Sequence, residues 1–281
     1  MDASRPAGKP TAAADSAGAA VAMVGLTRRF GNLLAVDHVD CSIAPRTIFG
    51  LLGTNGAGKS TVIKMLTTLL PVSEGSARVA GFDVTHEARA VRNHIGYVPQ
   101  MLSADGELTG YENLLISAKL YGIRPALRRE RIEQALAFME LEDSAGRRVA
   151  KYSGGMIRRL EIAQAMLHRP AVLFLDEPTV GLDPAARHAV WQRIRDLRHE
   201  FGTTILLTTH DMDEADKLCE ELAFMDLGKI VAGGRPAELK AQIGPEASLE
   251  DVFMRYTGSS LLERGDFRNV QQTRRTASRL E

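Results

Sequence analysis

The sequence predicts an α/β protein with a mainly parallel sheet core, an antiparallel β region beside it and an inserted helical subdomain. Three patterns carry that prediction. Short β-like pieces, AMVGL, LLAVDHVDCSI and TIFGLLG, crowd together between residue 22 and a glycine-rich loop at 53, as an antiparallel region next to a parallel core would. Two largely apolar runs, VLFL at 172–175 and TTILLTT at 203–209, read as strands buried on both faces. Residues 101 to about 155 change to helical spacing.

Each element has a local cause. Residues 1–20, MDASRPAGKPTAAADSAGAA, hold almost no large apolar side chain and cannot offset the entropy of ordering, so a flexible tail is expected there. The main domain is expected over 21–234, with a helix TVIKMLTTLL directly after the glycine loop. In the inserted block Thr109, Gly110, Tyr111 and Glu112 spell a capping box, Leu114, Leu115 and Ala118 give a helical face, and Gly122 can close it. A second helix runs from about Pro125, where Ile132, Ala135, Leu136 and Met139 repeat at helical spacing. The core resumes at Val172. In the C-terminal extension, 235–281, Ser248 and Asp251 cap a helix carrying Leu249, Val252, Phe253 and Tyr256 on one face, which is expected to dock. The final stretch, ERGDFRNVQQTRRTASRLE, reads as a solvated tail.

Composition narrows the function. With 281 residues and 44% hydrophobic content the chain can fill a real core, which excludes disorder throughout. Lys plus Arg and Asp plus Glu both count 35, so the zero net charge gives no reason to expect nucleic acid as a partner. Cys41 and Cys219 form no metal-ligand spacing and suit a reduced, cytoplasmic setting. No apolar run reaches the roughly 20 residues that span a bilayer, so a membrane role would act through a partner. The Ala- and Gly-rich stretch 17–26 lacks a basic n-region and is not read as an export signal.

The chemistry concentrates in a few places. Gly53, Thr54, Asn55, Gly56, Ala57, Gly58, Lys59 and Ser60 fit G-x-x-x-x-G-K-[ST] after an apolar strand and before a helix, the context in which backbone N–H groups wrap phosphates. Lys59 can reach the β and γ phosphates, and the Ser60 hydroxyl can hold Mg²⁺. Asp176 and Glu177 follow four apolar residues at a strand end. Alone they are an ordinary acidic pair; beside a phosphate loop, Asp176 can hold Mg²⁺ through water and Glu177 can polarise an attacking water. Ser153, Gly154 and Gly155 open a helix whose N-terminal N–H groups favour an anion. Three further residues stay open between bland and functional readings. Gln100 is a surface glutamine or a site residue, His210 emerges at the same sheet edge as Glu177, and Phe30 is core or a base-stacking face.

In this order the motifs resemble the ATP-binding cassette (ABC) family of ATPases, and the resemblance covers about 21–234. It implies ATP and Mg²⁺ as ligands. It matches Phe30 to the adenine-stacking aromatic, Gly53 through Thr61 to the Walker A loop, Gln100 to the Q-loop, a metal-facing position, and Ser153, Gly154 and Gly155 to the signature. Asp176 matches the Walker B carboxylate, Glu177 the catalytic base, Asp183 the D-loop and His210 the switch histidine. The signature reads YSGGM where LSGGQ is usual, so Met156 brings no side-chain amide. YSGGM, FLDEPTVGLDP and LEDVF together look like the drug-resistance and antibiotic-export branch. The resemblance also implies a nucleotide-binding dimer on the cytoplasmic face of a membrane, docked on an integral permease subunit, with the 101–152 block hinged at Gln100.

Two other classes fit these residues less well. A soluble ABC-type ATPase acting on nucleic acid or ribosomes usually carries two cassettes or a long coiled-coil insertion, and this chain has neither a heptad run nor net basic charge. A GTPase or small-molecule kinase would leave the SGG turn and His210 unexplained, and no N-K-x-D motif occurs.

Overall fold

The computed structural model describes residues 18–258; the expectations for 1–17 and for the polar stretch from 259 onward lie outside the described residues. Two sheets share the load. One has the order β2 (Leu33–Ile43), β1 (Val21–Phe30), β4 (Glu74–Val79), β5 (Phe82–Asp83), and every pairing in it is antiparallel. Ala20 already donates to the Ile43 carbonyl at 2.9 Å, one residue ahead of β1.

The second sheet has the order β10 (Lys229–Gly234), β9 (Glu221–Asp226), β3 (Ile48–Leu52), β8 (Thr204–Thr209), β7 (Val172–Asp176), β6 (Ile95–Val98). All its pairings are parallel except β9 with β10. Register decides where the chemistry lands. Leu52 lies opposite Thr209, Asp176 opposite Thr208 and Val98 opposite Leu175, so β3, β6, β7 and β8 all end along one edge. The next residues, Gly53, Pro99, Glu177 and His210, emerge there, where open parallel sheets bind ligands.

Alternation within the buried strands feeds two cores. Leu173 and Leu175 of β7 pack with Leu114, Ile132, Leu160, Trp191 and Phe253, whereas Val172 and Phe174 face Leu26, Ile43, Ile63 and Leu66. The first core carries the helices α3 (Gly110–Leu120), α4 (Pro125–Phe138), α5 (Gly154–Met166) and α6 (Pro184–Phe201). The second core receives α1 (Lys59–Leu66) and the antiparallel sheet; α2 (Ala88–His94), α7 (Met212–Leu218), α8 (Pro236–Ala241) and α9 (Leu249–Thr257) complete the described helices.

Local sequence explains most boundaries. Both bonds of the Thr109/Glu112 capping box form at the start of α3, and both form between Ser248 and Asp251 at the start of α9. The helix after the glycine loop stops sooner than its apolar pattern suggests. Thr67 Oγ1 turns back to the Ile63 carbonyl at 2.9 Å and Thr68 takes the left-handed conformation at φ 63°, so Leu69 and Leu70 leave the helix axis. No helix among the described residues is long and apolar enough to cross a membrane.

The C-terminal helix is part of the core. Phe253 is fully buried, with its ring 5.7 Å from that of Phe224 on β9. Phe253→Ala should lower the unfolding free energy by about 3–5 kcal/mol in a urea melt. A loss below about 1 kcal/mol, the size of a surface change, would mean that α9 is not anchored there.

Candidate active site

The phosphate-type loop is shaped by what surrounds it. A Cβ on Gly58, at φ 112°, would stand 2.5 Å from the Ala35 carbonyl oxygen; one on Gly53 would stand 2.2 Å from that of Met225. Only glycine lets β2 and β9 approach the loop this closely. The loop opens on a cleft of about 750 Å³ whose lining includes Phe30, Lys59, Ser60, Thr61, Gln100 and Glu177. That size is ordinary for a nucleotide-sized ligand. Asn55, Gly56 and Gly58 face the same cleft, as do Ala35 and Gly228, which no sequence motif marks.

The Lys59 ammonium is 5% exposed and donates to the carbonyls of Gly53 at 2.7 Å and Thr54 at 3.2 Å, with Glu177 Oε1 at 3.3 Å. Burial pushes its pKa down; the nearby Glu177 charge opposes this without cancelling it. Ser60 Oγ donates to Asp176 Oδ1 at 2.9 Å, and Thr208 Oγ1 donates to the same oxygen at 2.6 Å. No sequence motif marks Thr208. A threonine inside the apolar run TTILLTT was the available signal, because a buried hydroxyl must find a partner.

Glu177 sits at φ 49°, the left-handed region that costs a non-glycine residue roughly 1–2 kcal/mol. Its backbone is held there by donation from its N–H to Thr208 Oγ1 at 3.0 Å and to the Thr208 carbonyl at 3.1 Å. His210 Nδ1 lies 3.0 Å from Glu177 Oε2, and since an ionised carboxylate only accepts, Nδ1 carries the proton. The His210 ring is half-exposed and meets the cleft only through Glu177, since it is not itself part of the lining. Burial pushes the Glu177 carboxyl up, but the His210 hydrogen bond and the Lys59 charge more than compensate and hold it below the usual range. Beyond the strand end, Glu214 is buried and accepts from Thr179 Oγ1 at 2.6 Å and Trp191 Nε1 at 2.9 Å, tying the segment after Glu177 to α7.

Phe30 is 41% exposed on the cleft, and the Arg28 guanidinium stands 4.5 Å from its ring centre. The signature-like turn lies elsewhere. The lining of the cleft contains none of Ser153, Gly154, Gly155 or Asp183 among the described residues. Those four cluster together, since a Cβ on Gly154 would meet Leu182 at 3.2 Å and one on Gly155 would meet Ala186 at 2.7 Å. Ser153 Oγ accepts from the Met156 N–H at 3.3 Å, and Asp183 caps α6 by accepting from the Ala186 N–H at 2.9 Å. Of the N–H groups at the start of α5 expected to favour an anion, the Ser153 side chain takes that of Met156.

A glycine loop with a buried lysine, opposed by a strand-end Asp-Glu pair on a mainly parallel sheet, defines a P-loop nucleoside triphosphatase. The comparisons with known proteins sharpen that class. The ABC transporter family profile matches residues 36–180. The chain is 45% identical over 225 residues to the daunorubicin/doxorubicin resistance ATP-binding protein DrrA of Streptomyces peucetius, covering 80% of this chain and 68% of that protein. It is 44% identical over 226 residues to the Nod factor export ATP-binding protein I of Sinorhizobium fredii, covering 80% of this chain and 66% of that protein. A dimeric post-hydrolysis structure of an ATP-binding cassette bound to ADP and Pi superposes with a TM-score of 0.69 at 25% identity, covering 76% of this chain and 98% of that one. The chain belongs to the ABC transporter family as an ATP-binding, ATP-hydrolysing cassette.

The Glu177–His210 pair has a pH signature. The Glu177 hydrogen bond raises the His210 pKa above its ordinary 6.5, with burial opposing. A raised value gives stability that is fully present below 6.5 and is lost as pH rises through the folded value. The lowered Glu177 value gives stability that is present above the ordinary 4.5 and is lost as pH falls through the folded value. The unfolding-temperature gap between the wild-type protein and His210→Gln should thus be widest near about pH 5.5 and narrow by about pH 8.5. A gap that stays flat or widens with pH would break the pairing.

Proposed function

We propose that this chain is the nucleotide-binding subunit of an exporter, acting as a pair of copies that sandwich two ATP molecules at the cytoplasmic face of a membrane. The observation that carries the reading is the separation of the two phosphate-binding features. Lys59, Ser60, Gln100 and Glu177 line one cleft, while Ser153, Gly154, Gly155 and Asp183 form a second cluster outside it. A second copy would bring its own turn to the first cleft. The relatives named for daunorubicin resistance and Nod factor export support export, and the dimeric cassette with ADP and Pi supports the pairing.

The donor set fits magnesium. Ser60 and Asp176 present hard oxygens side by side, Gln100 opens on the same cleft, and no cluster of three or more His, Cys, Asp or Glu side chains forms a closed cage among the described residues. That is how Mg²⁺ is usually held, by one or two protein oxygens plus substrate phosphates. Bound there, the ion would neutralise charge on the phosphoryl oxygens.

This chain's residues then divide the work. Lys59 exchanges Glu177 Oε1 for a phosphate oxygen, which frees the carboxylate to take a proton from the attacking water. His210 keeps the carboxylate oriented through Nδ1, and in its protonated form, which the Glu177 hydrogen bond favours, its other nitrogen can donate to the γ-phosphate. Phe30 offers a face for the base once Arg28 yields. The docking face for a permease loop is the helical block, where Met101 and Leu102 follow Gln100 and Ile116, Leu120 and Tyr121 lie on or just after α3, all exposed. Exposed apolar side chains of this kind suit a contact with another protein.

Two measurements test the proposal. Glu177→Gln should bind ATP at least as tightly as the wild type while hydrolysis falls about 10²–10⁴-fold, the usual contribution of a general base; near-normal turnover would remove Glu177 from that role. Leu120→Asp combined with Met101→Asp should leave ATP binding unchanged and abolish co-purification with a polytopic membrane protein in detergent extracts. Recovery of ribosomes or RNA in its place would favour the soluble alternative.

A further inference from the structure

A second buried ion pair lies outside the catalytic cluster. Arg158 and Glu161 stand one turn apart on α5, the helix that Ser153 caps, and their side chains are 3% and 2% exposed with Arg158 Nη1 at 3.0 Å from Glu161 Oε2. Neither faces solvent and neither belongs to the motifs that mark the site. Both reach across to the loop that carries Gln100. Arg158 donates to the Pro99 carbonyl at 2.7 Å through Nη1 and to the Gln100 carbonyl at 2.8 Å through Nη2. Glu161 Oε1 accepts from the Ser103 N–H in a short contact and from Ser103 Oγ at 3.1 Å. Burial pushes Arg158 below the ordinary arginine value, against the charges of Glu161 and then Asp176.

A buried charge pair is rarely retained for stability, because desolvation offsets most of its attraction; fixing one arrangement among several is its better-attested use. Here each member of the pair holds one end of the loop from Pro99 to Ser103, and both stand on the helix whose first turn is the Ser153, Gly154, Gly155 cluster. We propose that Arg158 and Glu161 are positioning residues that lock the Gln100 loop to α5, so that the loop facing one nucleotide and the turn completing the other move as a single body. This rests on the two-copy sandwich proposed above. The flexible point would then precede Pro99, at the end of β6, and the loop would travel with the helical block instead of acting as its hinge.

The test is a kinetic double-mutant cycle on the full chain with Arg158→Gln, Gln100→Ala and their combination, scored by kcat and by the Hill coefficient for ATP. Arg158→Gln should lower kcat by about 10- to 10²-fold, the scale of a misplacement remote from the chemistry, and bring the Hill coefficient toward that of independent sites. Added to Gln100→Ala it should cost little more, because the group it positions is already gone. Additive losses would overturn the proposal, since a merely structural role does not depend on Gln100. Glu161→Gln, which keeps the acceptor for Ser103 and removes only the charge, serves as the second variant if Arg158→Gln unfolds, with the same non-additivity expected; Arg158→Lys should restore part of the activity. ATP-dependent pairing is measured separately by gel filtration in Glu177→Gln. Failure to pair there sinks the sandwich, whereas normal pairing with an additive cycle sinks only the lock.

Discussion

Asp176 is the constraint on which the site depends. Its carboxylate is 2% exposed, and a charge so buried persists only when hydrogen bonds replace water. The replacements come from two other segments: Ser60 in the first turn of α1 and Thr208 on the adjacent strand β8 both donate to Oδ1. One oxygen thereby fixes the spacing of three segments. Thr208 extends the chain of contacts, because the hydroxyl that gives its proton to Asp176 accepts one from the Glu177 N–H. That bond helps hold Glu177 in a conformation few non-glycine residues adopt, and the turn aims its carboxylate at Lys59 and His210 together.

The sheet makes this possible. Parallel strands in register end together, so loops distant in sequence share one edge without any long connection having to be ordered for the purpose. The remaining strands do mechanical work. Ala35 on β2 and Met225 on β9 crowd the phosphate loop so closely that its glycines cannot carry a side chain, which stiffens a segment that by composition would be loose.

Much of this could be read from the chain, and the part that could not has a common cause. The buried strand runs, the caps at Thr109 and Ser248 and the glycine loop are written in neighbouring residues, whose local hydrogen bonds or sterics decide the structure. Residues joined across the fold leave no such trace. Thr208 looks like any β-branched strand residue until it lies opposite Asp176, and Arg158 looks like one of the solvated charges of α5 until Pro99 and Gln100 present their carbonyls to it. Nor does sequence show that Ser153 caps its own helix, which leaves its hydroxyl partly committed before any phosphate competes for it. The apolar pattern of 61–70 overstated the helix, because a side-chain bond from Thr67 to Ile63 outweighed periodicity at its end.

The charges of the site also limit what it can bind. The ammonium of Lys59 stands 3.3 Å from Glu177 Oε1 and also feels the charge of Asp176, so one cation serves two carboxylates around the glycine loop. A triphosphate entering there would meet these carboxylates as well as the backbone N–H groups of the loop and the dipole of a helix as short as α1. On the proposed reading, affinity therefore requires a cation to arrive with the nucleotide, and the Ser60 and Asp176 oxygens are where it relieves the excess charge. The same excess explains why Glu177 rests on Lys59. On the proposed reading, the pairing would hold both charges until a phosphate claims the lysine, and the carboxylate would become an available base only then.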